Sequence, residues 1–248
     1  MTTRWPRNQF VPGGGDAQVR FLCFLEGPIE GALDLGLEGW TEGALPAGMG
    51  MAAVQRPLDP ENERMIEGFL EWMGDHPSAV RLRVARWIVA IEGVVADPPD
   101  LGHLQAAWAA VRQVCRRGAL GVWDIGASMW FTADEVLARP PDDSQLACAW
   151  GVNVQDAGAL AYAHTLGMDK FGRRDILGFA APEAVEEVAQ LLGALGELQV
   201  AGVRLDAGDR LERDDLLLLL EGYAPGFNAP ALDFGFPHQP LLLTLRRA

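Results

Sequence analysis

At 248 residues, 49% of them apolar, the chain can build a substantial core in one large domain or two modest ones. A formal net charge of −14, from 34 acidic against 20 basic residues, disfavours nucleic acid and anionic membrane as partners. It fits a basic protein partner or plain solubility, and the three scattered cysteines, Cys23, Cys115 and Cys148, exclude a disulfide framework.

Residues 1–18 end in Pro12-Gly13-Gly14-Gly15 and read as a flexible leader with little to bury. Val19 to Leu25 is an apolar strand, and Gly50 to Val54 supplies a short second one. Asp59 then stands before Pro60 as an N-cap, opening a helix whose Ile66, Phe69, Leu70 and Met73 share one face. From Val80 to Ile91, alternation of Val80, Leu82 and Val84 with Arg81 and Arg83 predicts a long strand. A second helix spans about Asp100 to Arg117, with Leu104, Trp108, Val111 and Cys115 as its stripe and Gly118 as its stop. The clusters Arg81, Arg83, Arg86 and Arg112, Arg116, Arg117 read as solvated faces. Ala119 to Ile125 is a further strand, and Thr132 with Glu135 forms a capping box for a short helix. Pro140-Pro141-Asp142-Asp143 marks a boundary between halves at 19–140 and 141–248.

In the second half, Leu146–Val154 and Ala157–His164 predict an antiparallel hairpin turning at Gln155-Asp156. A strand follows at Ile176–Phe179, then a helix from Pro182 to about Leu195 with Val185, Val188, Leu192 and Leu195 on one stripe. Asp206-Ala207-Gly208-Asp209 is a tight turn. Leu216–Leu220 reads as a strand buried on both faces, and Leu241–Leu245 closes the chain after a Gly/Pro-rich 222–240 loop. The fold class predicted is α+β: mainly antiparallel sheets with three longer amphipathic helices packed on them, in two sheet-based halves.

Chemistry concentrates in Tyr162–Ile176, Y-A-H-T-L-G-M-D-K-F-G-R-R-D-I, which holds the sole lysine, Lys170, and one of four histidines, His164. Lys170 reads either as a nucleophile or as an exposed anchor for a carboxylate, and the solvated reading is preferred. His164 reads as a general base or as a core-edge histidine bonded to backbone. Gly167 and Gly172 allow positive φ on either side of a bend. Asp206 and Asp209 are candidate metal ligands together with Asp214 or Asp215, against the simpler reading of turn aspartates bonded to their own backbone. The chain lacks a G-x-S-x-G elbow, a phosphate-cradling or dinucleotide glycine loop, and zinc-ligand spacing, so no cofactor is expected. Trp123, Trp130 and Trp150 line a pocket or fill a core. The amino terminus lacks a signal-peptide pattern and no run reaches the roughly 18 apolar residues of a membrane span. A cytoplasmic location is expected.

The run His164-Thr165-Leu166-Gly167-Met168-Asp169-Lys170-Phe171-Gly172, then Asp175-Ile176, a helix and Asp206-Ala207-Gly208-Asp209, resembles a bacterial family of uncharacterised proteins. Their carboxyl halves carry a T-x-G-x-x-K-F-G-x-x-[DE] phrase. Gly118–Trp123 looks like a second piece of that pattern, and the likeness runs from about residue 80 to the end. Arg173-Arg174 departs from the proline often found there, and Asp206-Ala207-Gly208 from a glycine-first turn. The resemblance implies a domain of unknown function, loosely like the immunity and accessory proteins of toxin systems. The expected function is therefore a non-catalytic, acidic, protein-binding factor with a basic partner. The alternative is a hydrolase or small-molecule enzyme built on His164, Lys170 and the Asp206–Asp209 turn, with Asp175 as a third catalytic candidate.

Overall fold

Val19 to Leu25 has no polar position after Arg20, and it occupies the place such a run requires. Strand β1 (Ala17–Leu25) is central in a five-stranded sheet with β2 (Met49–Gln55), β3 (Trp87–Val95), β4 (Gly121–Asp124) and β5 (Met129–Thr132), in the order β2-β3-β1-β4-β5. The computed structural model describes residues 4–29, 44–156, 160–213, 216–222 and 240–247. Two compact units result: Met1–Trp5, Val19–Val95 and Leu101–Leu146 form the first, and Pro6–Gln18, Ala96–Asp100 and Ala147–Ala248 the second. The fold is α+β, with two mainly antiparallel sheets and three helices of 14, 15 and 16 residues among those packed on them.

In the first unit, helix α1 (Pro60–Met73) starts at Asp59, whose carboxylate accepts the Glu61 and Asn62 N–H groups left over at a helix start. Its Ile66, Phe69 and Leu70 pack with Leu22, Phe24 and Trp123 of the sheet. The next element corrects the expected strand. Residues 77–83 form helix α2 (Pro77–Arg83), capped by the His76 ring, with Pro77 at its first turn. Ser78, Ala79 and Leu82 are its buried positions, the two apolar ones three apart, while Val80 is 63% and Val84 57% exposed. The alternation of valine and arginine was thus a helical pattern of about two turns, too short to show its period, and of this stretch only β3 is strand.

Helix α3 (Gly102–Arg116) is buried on almost every face, including His103, Gln105 and Arg112, and Gly118 beyond it has the positive φ expected of a helix stop. Arg112 corrects the solvated-face reading. It is 5% exposed, and its Nη1 donates to the Val136 and Arg139 carbonyls at the end of helix α4 (Ala133–Ala138). The capping box of Thr132 and Glu135 is present in full.

The second unit has a six-stranded sheet ordered β6-β7-β8-β11-β10-β9. Its strands are β6 (Gly151–Asp156), β7 (Ala161–Leu166), β8 (Ile176–Ala180), β9 (Arg210–Arg213), β10 (Leu216–Gly222) and β11 (Leu241–Arg247). All described pairings are antiparallel except β8 with β11. Helix α5 (Val185–Val200) lays Val188, Leu191, Leu192 and Leu195 on Ala163, Ile176, Leu218, Leu220, Leu241 and Leu243. The β6 and β7 strands pair antiparallel as expected, but Gln155 and Asp156 belong to the ladder, opposite Tyr162 and Ala161, and are not the turn; residues 157–159 lie outside the described residues. Leu218 and Leu220 are buried while Leu217 and Leu219 are half-exposed, so β10 buries one face, not both. The 222–240 loop falls largely outside the described residues.

Candidate functional site

The link between β7 and β8 is built by the residues that stood out in the sequence. Gly167 (φ 91°) and Gly172 (φ 61°) bracket a single 3-10 turn, Met168–Phe171, each in the left-handed region where a Cβ is costly. At Gly172 a Cβ would also run into the Gly15 carbonyl. Between them Phe171 and Met168 are fully buried. Lys170 is 0% exposed, which overturns the solvated reading, and its Nζ donates to the Ala149 carbonyl at 2.6 Å. The turn carries its third residue inward regardless of its charge, and the ammonium is met there by a backbone acceptor.

Asp175 closes the corner. Its Oδ1 accepts from the Thr165 hydroxyl (2.9 Å) and the Met168 N–H (3.4 Å), while Thr165 Oγ1 accepts from Ile176 N–H (2.8 Å). Burial pushes the Asp175 carboxyl up to about 7, and the neighbouring Asp169 charge adds to this, opposed by Thr165, Met168 and Lys170. Thr165, Gly167, Lys170, Phe171, Gly172 and Asp175, the fixed positions of the T-x-G-x-x-K-F-G-x-x-[DE] phrase, each hold part of this corner. His164 points to the other face of the sheet from Thr165. Its Nδ1 faces the Thr165 carbonyl (3.2 Å), which can only accept, so the proton sits there, and Nε2 faces Asn153 Nδ2 (3.4 Å). Burial lowers its pKa and keeps the ring neutral.

Sequence reasoning missed Arg173. All five of its N–H donors are used: Nε to Val203 O, Nη1 to Asp97 Oδ1 and Gly172 O, and Nη2 to Val11 O and Gly202 O, at 2.9–3.2 Å. Asp97, at a positive φ of 22°, also accepts the Gly13 and Gly14 N–H groups. Burial would raise its pKa, but those bonds and Arg173 outweigh it and hold the carboxyl low. A Cβ at Gly14 would collide with the Arg173 guanidinium. The glycine run is therefore a close backbone approach, and the segment read as a leader also buries Arg7. The only signal was Arg173-Arg174 replacing an expected proline.

The remaining candidates lie apart. Asp209 accepts the Asp206 N–H across the turn (2.8 Å), the backbone role of a turn aspartate, while the Asp206 side chain pairs with Arg204 (2.7 Å). The Gly208–Leu220 bond places this turn beside β10, separated from β7 by β8 and β11, or roughly 14 Å at about 4.8 Å per strand. Asp214, Asp215 and His238 lie outside the described residues. Among the described residues no group of three His, Cys, Asp or Glu is placed to hold a metal ion, and no helix is long and apolar enough to cross a membrane. Cys23 and Cys115 are buried thiols whose pKa values burial raises, Cys115 to about 12.

An accessible cavity lies in the first unit. A cleft of about 500 Å³ opens between the end of α1 and the β4–β5 hairpin, lined by Trp72, Met73, His76, Ser128, Met129, Trp130 and Phe131. Trp72 is 72% exposed, stacked on Phe69 (centroids 5.9 Å), which stacks in turn on Trp123 (4.0 Å, 8° between planes). Trp123 and Trp130 thus serve the core, and Trp130 reaches the cleft as well. Trp150 packs on Gly196 of α5.

Compared with known proteins, the chain is matched by no family model, no curated protein and no solved structure. Function must therefore be read from its own geometry.

Proposed function

We propose that this protein is a non-catalytic, protein-binding factor of the immunity or accessory kind, acting in the cytoplasm on a basic partner. One observation carries the reading: Trp72, the residue type most enriched at binding hot spots, stands 72% exposed at the lip of an apolar cleft. Net charge supports the sign of the partner, since −14 steers cations and repels anions. Affinity purification of the tagged protein at native abundance tests it. A stoichiometric partner with an excess of Lys and Arg, released as salt rises from 50 to 500 mM, is expected. Recovery of no such partner, or of one indifferent to salt, counts against the reading.

A second reading has one observation behind it. Asp175 near 7, beside Asp169 and Lys170, is the kind of carboxyl that general acid–base chemistry uses. A hydrolase or small-molecule enzyme would need His164, Lys170 and the Asp206–Asp209 turn to open and converge. A metabolite that raises the Tm of the wild type and not of Asp175→Asn would favour it.

A further inference from the structure

Acidic residues stand on either side of Trp72 in the chain. Glu67, Glu71 and Asp75 follow one another at four-residue spacing along and just past α1, all exposed, and none forms an ion pair among the described residues. Glu67 and Glu71 lie one turn apart on α1 and repel one another, while Asp75 follows the Gly74 cap. Across the cleft, Glu135 lies near enough to His76 for that ring to lower its pKa, after the stronger effect of the Thr132 N–H. An exposed indole with acidic neighbours in the chain suits a guanidinium or ammonium group, which can stack on the ring while pairing with an acid.

The apolar surface does not end at the cleft. His76, Val80 and Val84 follow at four-residue spacing along α2, and both valines are exposed. At 1.5 Å per residue this ridge runs about 12 Å from the cleft mouth. Arg81 and Arg83 flank it, also exposed, so the acidic character belongs to the Trp72 end alone.

We infer that this surface binds a short segment of a protein partner, seating an Arg or Lys side chain on Trp72 between Glu71 and Asp75 and apolar side chains in the cleft and over Val80 and Val84. This rests on the protein-binding reading above and assigns it a place and a chemistry.

The test is selection from a random twelve-residue peptide library on the full chain, with calorimetry on the enriched peptides. The expected winners carry Arg or Lys beside aromatic or branched aliphatic residues. Their affinity falls about 30-fold in Trp72→Ala, in line with an aromatic hot spot. It falls about tenfold in the double variant Glu71→Lys, Asp75→Lys, the order expected of paired charges. Circular dichroism confirms that each variant is folded. Acidic or neutral winners, no enrichment, or affinity unmoved by Trp72→Ala overturns the assignment. So does a concentration-dependent dimer abolished by Trp72→Ala, which would make a second copy the occupant. If basic peptides bind the Trp72→Ala variant equally well, the cleft fails while the binding factor stands. If peptides bind at Trp72 but no salt-released basic protein is recovered from cells, the binding-factor reading fails instead.

Discussion

The 162–176 corner of the second unit and the Trp72 cleft of the first treat polar and apolar groups in opposite ways. At the corner an ammonium, two carboxylates and a histidine are withdrawn from solvent, and the groups with described bonds meet backbone or one another. At the cleft a tryptophan stands in water with Glu71 and Asp75 close to it in the chain, and two exposed valines follow on α2. Buried polar groups tie together chain segments and add specificity of fold, whereas exposed aromatic surface is unfavourable to the free protein and useful only on contact. The ionisable residue types therefore do not coincide with the exposed apolar surface.

That contrast can be broken by substitution. Lys170→Ala should have the largest effect, about 3–5 kcal/mol in urea unfolding, because it leaves a cavity and strands a buried acceptor and acidic neighbours. A loss under about 1 kcal/mol would mean the corner tolerates an empty position and is no anchor. Arg173→Ala comes next, at about 2–4 kcal/mol, since five backbone and carboxylate acceptors lose their donor together. Hydrogen exchange at Gly13, Gly14 and Gly15 should accelerate in that variant, and unchanged protection would detach the segment from Arg173.

Asp175→Asn should act through pH. With a folded pKa near 7 against an ordinary 3.8, the native state keeps a proton that the unfolded chain has released between those values. Stability from this group is thus present at low pH and falls as pH rises through the window, by at most about 1.4 kcal/mol per unit. His164, held low, acts in the opposite direction and loses stability as pH falls below its ordinary 6.5. Subtracting the Asp175→Asn curve from the wild-type curve isolates the carboxyl, and a flat difference between pH 4 and 7 would contradict its raised pKa. The smallest change is expected at the cleft: Trp72→Ala should alter stability by no more than about 0.5 kcal/mol, as exposed positions do. A loss several times larger would mark Trp72 as core, and the contrast between the regions would vanish.

Much of the fold was legible because its signals act over a few residues. Asp59 and the Thr132–Glu135 box cap helices by bonds within one turn, and Gly118, Gly167 and Gly172 take the left-handed φ that their neighbours dictate. The apolar periods of α1 and α5 likewise carry their own buried faces. The candidate site was legible in part: the fixed residues of the 164–175 run do meet, Thr165 bonding Asp175, yet as a corner with Lys170 inside. Residues 77–84 failed because eight residues cannot separate a helical period from alternation when both valines are exposed.

What only tertiary structure decided was who meets whom. The acceptor for Lys170 lies 21 residues away in the chain, and one acceptor for Arg173 lies 162 away. Capping and backbone conformation are local energies that a sequence carries on its face. Burial of a charge depends on partners brought from elsewhere, and exposure of Trp72 on how little of the described chain packs over it, so neither is written in the neighbouring residues.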